Sequence, residues 1–126
     1  MSAVALVDDR GLVLMQKRHQ NSMHGGLWEF PGGKQDPNES LAACLKRELQ
    51  EELGVEVKVG APLGAYDHAY THFRITVHAF EAEIKDGEPL PLDHDELVWV
   101  SPSHLARYPM GKIDRAIAQA LAAEDS

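Results

Sequence analysis

The chain has 126 residues, 44% of them hydrophobic and 25% charged, with a formal charge of -8 from 12 Lys and Arg against 20 Asp and Glu. That size and balance fit one globular domain spanning 1–126 with a real core, and they exclude a disordered chain. The acidic balance also argues against nucleic acid polymers as partners, because that binding depends on Lys and Arg releasing counterions from phosphates.

The start MSAVALVDDRG has neither a basic lead nor an apolar signal core, no apolar run is long enough to span a bilayer, and the one cysteine, Cys44, permits no internal disulfide. A cytoplasmic protein is the expectation. In chain order, Val4–Val7 and Leu12–Met15 read as a β-hairpin turned by Asp9–Gly11, and KRHQNSMHGG as a loop. Trp28–Phe30 reads as a short strand stopped by Pro31 and the Gly32–Gly33 pair.

Ser40 is placed to cap a helix that runs to about Leu53, with Gly54 just past its end. Leu41, Ala42, Leu45, Leu49 and Leu53 recur at helical spacing and predict its buried stripe, with Cys44 packed beside it. VEVKV then opens a β region, followed by a Gly- and Pro-containing bend and the long strand-like run YDHAYTHFRITVHAFEAEI. Within that run Ile75, Val77 and Ala79 share one parity and Phe80, Ala82 and Ile84 the other, so it either bulges near Ala79 or is buried on both faces. Glu96–Val100 predicts a last strand, Ser101 a helical turn, and Lys112–Ala123 a C-terminal helix. The order β-β-α-β-β-α predicts an α/β class and a mixed sheet between helices, an α/β/α sandwich.

On the first helix Glu48, Glu51 and Glu52 lie three and four residues apart and share a face, an arrangement that repels itself by a few tenths of a kcal/mol per pair. A solvated face is the ordinary outcome of such spacing. The alternative is a site for hard divalent cations, which take oxygen ligands and are shared with substrate phosphates. The wider spacing decides between them: Gly33, five residues, Glu39, seven residues, Arg47-Glu48-Leu49, one residue, Glu51-Glu52, one residue, Gly54-Val55. It matches every fixed position of the Nudix box, and the chain resembles the Nudix hydrolases. GLWEFPGGK before the box and LVWVSPSHLARYP after it are similar to segments of the MutT-type nucleoside triphosphate pyrophosphohydrolases.

The resemblance implies the Nudix α/β/α fold and hydrolysis of a phosphoanhydride with Mg²⁺ as cofactor, or Mn²⁺ in its place. It implies metal-binding positions at Gly33, Glu48, Glu51 and Glu52, a supporting role for Glu39, and a positioning role for Arg47, whose fork holds a box glutamate. Arg18 and Lys34 match phosphate-contacting positions. The general base is assigned to Glu51 or Glu52, with Asp93 of the DHDE loop as helper. Phe30 is placed among the substrate-binding residues; Phe73 or Trp28 is placed to stack on a base. His68 and His72, about 13 Å apart on an extended strand, do not form a zinc pair.

MutT-type relatives read the base with an Asn shortly after the YP pair, where this chain has Asp114. An ionised Asp accepts hydrogen bonds only, which suits an exocyclic amine or the N7–H of 8-oxoguanine. The resemblance therefore implies a nucleotide substrate such as 8-oxo-dGTP, with CTP, dCTP or a modified cytosine nucleotide as the alternative. A non-catalytic base-recognition module is the competing class, disfavoured because the box glutamates are all present. ADP-ribose is disfavoured because Tyr70 stands where those hydrolases carry proline. Family members occur as monomers and as homodimers, and the sequence favours neither.

Overall fold

The computed structural model describes residues 2–8 and 10–124. In chain order the strands are β1 (Ser2–Leu6), β2 (Val13–Lys17), β3 (Trp28–Glu29), β4 (Gly32–Gly33), β5 (Glu56–Ala69), β6 (Arg74–Asp86) and β7 (Glu96–Val100). Helix α1 (Leu41–Leu53) falls between β4 and β5. A 3₁₀ helix (Pro102–Arg107) and α2 (Lys112–Glu124) close the chain. Two sheets form, ordered β4-β1-β6-β5 and β3-β2-β7, and the β1–β6 pairing is parallel while the rest are antiparallel.

The helix expected from local signals is present to the residue. Ser40 Oγ accepts from Ala43 N–H at 3.1 Å, and Gly54 takes the left-handed conformation (φ 72°) while its N–H donates to Gln50 O. Leu45, Leu49 and Leu53 are fully buried, with Leu41 and Ala42 half-buried at the start of the stripe. Together with Leu14, Val55, Val57 and Ala82 the three leucines form one core beneath α1. The other core lies under α2, where Ile117, Ala118 and Leu121 meet Val13, Met15, Phe30, Val77 and Val100. Alternation along β2 feeds both: Val13 and Met15 to the second core, Leu14 to the first. Cys44 is buried, with its Sγ 3.7 Å from Gly33 O.

Two expectations are corrected. First, β1 and β2 are not a hairpin: they share one bridge, Val7 to Val13, and then part into different sheets, β1 to β4 and β6 and β2 to β3 and β7. The turn does form, with Asp8 Oδ1 accepting from the Arg10 and Leu12 amides; Asp9 lies outside the described residues. Second, the run from Tyr66 to Ile84 is two strands, because the chain reverses at Tyr70–Phe73, where Tyr70 N–H donates to Phe73 O at 2.7 Å. Of the two readings of the parity switch, burial on both faces holds: Val77 and Ala79 enter the α2 core, and Ala82, with Phe80 and Ile84 packed beside it, the α1 core. The register shifts opposite Phe80 fall on β5, between Val59 and Pro62 and between Pro62 and Gly64.

Candidate active site

Gly32–Gly33 does more than stop a strand; it pairs as β4 with β1 and lies directly over α1. A Cβ on Gly33 would overlap the Glu48 carboxyl group, so only glycine lets that carboxylate lie against the strand. Gly33→Ala is accordingly expected to retain its thermal melt within a few degrees while kcat/KM falls roughly a hundred-fold, the scale of an ångström-sized misplacement. An unaffected kcat/KM in that variant would mean the contact serves packing alone.

One turn further along α1, Gly32 N–H donates to Glu52 Oε2 at 3.1 Å. The three box glutamates differ in exposure: Glu52 is 8% exposed, the Glu48 side chain 16% and the Glu51 side chain 60%. Burial is the largest influence on Glu52 and pushes its carboxyl up to about 8, opposed by the Gly32 amide and reinforced by the charges of Glu48 and Glu29. Burial raises Glu48 as well, against the lowering pull of Arg47.

Arg47 organises the other side of the cluster. Its Nε and Nη2 grip the two oxygens of Glu39 at 2.9 and 3.0 Å. Its Nη1 donates to Glu48 Oε1 at 2.9 Å, and Nη2 also reaches Lys34 O at 3.0 Å; Glu51 lies farther, at 3.5 Å. Those hydrogen bonds from Arg47 hold the Glu39 carboxyl far down, at about 2. Glu39 also accepts from Asp36 N–H, so residues 34–39 are tied to the helix through one guanidinium.

The β6–β7 loop completes the acidic end. Leu90 N–H donates to Leu53 O and Leu92 N–H to Glu52 O, which brings Asp93 and His94 onto the end of α1. Among the described residues, Glu52, Asp93 and His94 present ligand atoms that all lie within 4.8 Å of one another. With Glu48 they fit a divalent cation: the Glu48 and Glu52 carboxyls are both raised by burial, the charge of Glu48 adds to Glu52, and the missing Cβ of Gly33 leaves the space that the Glu48 carboxylate occupies.

A cleft of about 460 Å³ leads away from the glycines. Trp28, Phe30, Ile75 and Val77 give it apolar walls, and His68 and Tyr70 from the tip of the β5–β6 hairpin overhang it. Asp114, in the first turn of α2, also lines it, accepting from Phe30 N–H through Oδ1 at 3.2 Å. The helix is delivered there by the preceding segment, which lies along β3: Trp28 N–H donates to Pro109 O at 2.8 Å, and the Trp28 ring meets Tyr108 edge-on. Burial pushes Asp114 up to about 7, with the Phe30 amide and Arg18 opposing and Glu29 reinforcing.

Of the other positions predicted from sequence, Arg18 lines the cleft and is bonded to Glu29 Oε1 at 2.9 Å and to Met23 O. Lys34 is exposed on a separate shallow depression of residues 34–39, not in the cleft. Phe73 is 59% exposed and does not line the cleft; Tyr70, on which it stacks at 4.8 Å, does. Nothing in the sequence marks Glu29 or His94, whose importance comes from sheet pairing and loop placement. The charge of Glu29 acts on both Glu52 and Asp114 and raises each.

A two-helix mixed-sheet fold with carboxylates gathered under a paired-glycine strand is the architecture of the Nudix domain. The chain belongs to that family: the family model described as a NUDIX domain matches residues 2–120. Members of this family are hydrolases that use divalent metal. Among its relatives, the CTP pyrophosphohydrolase of Escherichia coli (strain K12) is 35% identical over 119 residues, covering 94% of this chain and 88% of that protein. A putative 8-oxo-dGTP diphosphatase 2 of Mycobacterium tuberculosis (strain H37Rv) is 38% identical over 96 residues, covering 74% of this chain and 67% of that one. Of solved structures, the E. coli ORF135 protein superposes with a TM-score of 0.86 at 35% identity, covering 99% of this chain and 89% of that chain. A MutT protein from Methanosarcina mazei Go1 gives 0.84 at 26% identity, covering 99% and 93%.

Proposed function

We propose that the protein hydrolyses nucleoside triphosphates to the monophosphate and pyrophosphate, clearing oxidised nucleotides such as 8-oxo-dGTP. The carrying observation is the lining of the cleft: the bare Gly32–Gly33 backbone, against which the Glu48 and Glu52 carboxylates lie, and an apolar slot that presents the half-buried Asp114 carboxyl group. A triphosphate needs the first and a base needs the second. The slot's volume is ample for a nucleoside.

Glu48 and Glu52, with Glu51 beside them and the Gly33 carbonyl above, are the groups assigned to the cation, Mg²⁺ in the first instance. A divalent cation held there would neutralise phosphate oxygens and acidify water. The chain's own residues supply the geometry. Arg47 locks Glu48, the Gly32 amide locks Glu52, and the bare Gly33 lets phosphates approach the strand. Glu51, the most exposed of the three, is assigned to take the proton from the attacking water, with Asp93 assisting from the loop. Arg18 at the cleft wall is assigned to a phosphate, which it reaches by exchanging its bond to Glu29.

Cytosine nucleotides form the second reading, favoured by Asp114 and by the E. coli relative that hydrolyses CTP. The test is Mg²⁺-dependent pyrophosphate release from 8-oxo-dGTP, dGTP, CTP, dCTP, 5-methyl-dCTP and ADP-ribose. Turnover of none of the triphosphates ends the proposal, and turnover of ADP-ribose alone reassigns the substrate class.

Asp114 gives the base preference a pH dependence. With Oδ1 held by Phe30 N–H, Oδ2 is the atom a base meets. Below about 7 that carboxyl carries a proton and can donate to guanine O6; above it, it only accepts, as a cytosine amine requires. The ratio of kcat/KM for dGTP over dCTP is therefore expected to fall several-fold between pH 6 and pH 8. Asp114→Asn, a donor and acceptor at every pH, is expected to flatten that trend. A wild-type ratio independent of pH would remove Asp114 as the reader.

A further inference from the structure

His94 has no role in the proposed hydrolysis, yet among the described residues it is one of two, with Gln16, whose buried side chain leaves a polar atom without a partner. Its ring is nine-tenths buried, and Nδ1 has no hydrogen-bond partner. Nε2 lies 3.6 Å from Glu29 Oε1, too far for a hydrogen bond. A buried, unpaired ring nitrogen costs about 1–3 kcal/mol unless something binds it. The backbone around it is anchored. Asp95, the next residue, donates its N–H to Lys17 O and accepts from His19 Nδ1 and Gln20 N–H, so both sides of the DHDE loop are anchored.

That anchoring holds a His94 ring nitrogen with carboxylate oxygens of Glu52 and Asp93 inside a 4.8 Å span. Donors on opposite sides of a cation bonded at about 2.1 Å lie about 4.2 Å apart, so small side-chain adjustments close the set around one ion. Glu52 and His94 are buried and Asp93 is exposed, which leaves one side of the position open to water or a phosphate oxygen. The donor set is one imidazole and two carboxylates. Mg²⁺ prefers oxygen alone and keeps its waters, whereas an imidazole nitrogen favours first-row transition ions in the order Mn²⁺ < Fe²⁺ < Co²⁺ < Ni²⁺.

We propose that Glu52, Asp93 and His94 form a mixed nitrogen–oxygen cation position that selects Mn²⁺ or Co²⁺ over Mg²⁺. The proposal rests on the assignment of Glu52 to a cation; what it adds is Asp93 as a ligand in place of its assisting role, the nitrogen ligand His94, and the selectivity that follows. The competing account, in which His94 only steadies the carboxylates by hydrogen bonding, predicts no selectivity between ions.

The test uses the full chain without nucleotide. Mn²⁺ bound to wild-type protein is expected to show the ¹⁴N spin-echo modulation of a directly coordinated imidazole. Its absence at saturating Mn²⁺ overturns the proposal, and this measurement does not depend on any variant folding. His94→Gln is expected to abolish the modulation and to weaken Co²⁺ binding, followed by its visible absorption, by at least about ten-fold. Mg²⁺ affinity, read by competition, is expected to stay within about three-fold. An equal loss for both ions, or modulation that survives in His94→Gln, overturns it too. Because nothing here reads turnover, a chain that binds Mn²⁺ through nitrogen yet releases no pyrophosphate would lose the proposed activity and keep this site.

Discussion

Replacing Glu52 with Gln is expected to cut triphosphate turnover on the order of a thousand-fold and, at the same time, to raise the melting temperature of the metal-free protein at pH 8. The first effect follows if the carboxylate assigned to the cation is lost, since a bound cation contributes several kcal/mol of electrostatic stabilisation, each 1.36 kcal/mol being tenfold in rate. The second follows from burial. The folded protein holds the Glu52 proton up to about pH 8, whereas an ordinary glutamate releases it near 4.5. Between those values the unfolded chain binds fewer protons than the folded one, so stability falls as pH rises and the full cost is present above pH 8.

That gap corresponds to at most about 5 kcal/mol. Gln keeps an oxygen for the Gly32 amide and carries no charge, so Glu52→Gln recovers part of this cost, raising the melting temperature by at least about 5 °C. The gain should vanish near pH 4.5, where both proteins are neutral at this position. Added Mg²⁺ should stabilise the wild type more than the variant, because binding stabilises only the state that binds. A melting difference that is the same at pH 5 and pH 8 would show that Glu52 is not held neutral by burial, and turnover within ten-fold of wild type would remove it from the cation site.

Arg47→Lys is expected to lower kcat by roughly a hundred-fold with little change in KM. The guanidinium spans both oxygens of Glu39, one of Glu48 and the Lys34 carbonyl. An ammonium is a single point and cannot hold that set in one geometry. Arg47 does not line the cleft, so binding is expected to be spared while the Glu48 carboxylate, assigned to the cation, loses its orientation; losses of ten- to a hundred-fold are usual for residues that position metal ligands. Faster amide exchange in residues 34–39 should accompany the kinetic defect, since the loop is tied to α1 through the same side chain. A rise in KM alone would instead place Arg47 in contact with substrate.

Sequence and structure agree most closely where the determinants are local. Helix α1 has its start in Ser40, its end in Gly54 and its buried face in the leucine spacing, all within fifteen residues of one another. The Gly33-to-Val55 spacing carried the acidic cluster and its arginine, and those residues do meet. The failures are of another kind. The parallel pairing of β1 with β6 joins residues more than seventy positions apart, and no pattern near Val4 announces it. The reversal at Tyr70–Phe73 escapes notice because YTHF contains no glycine, proline, asparagine or aspartate. The different burial of Glu51 and Glu52 depends on which strand covers the helix, and the place of His94 depends on how the loop after β6 folds back. Periodicity along one element cannot specify either.

The contact between Gly33 and Glu48 also constrains how such a protein can change. Any side chain at position 33 requires Glu48 to move first, and any shortening of Glu48 withdraws the carboxylate for which the bare backbone makes room. Each position therefore penalises the first step at the other, and a lineage leaving this state is expected to pass through an intermediate of lowered activity. The hairpin tip carrying His68 and Tyr70 has no such partner lock on the catalytic helix. Under the proposed function, drift there is expected to change which base is accepted and to leave the hydrolytic end as it is.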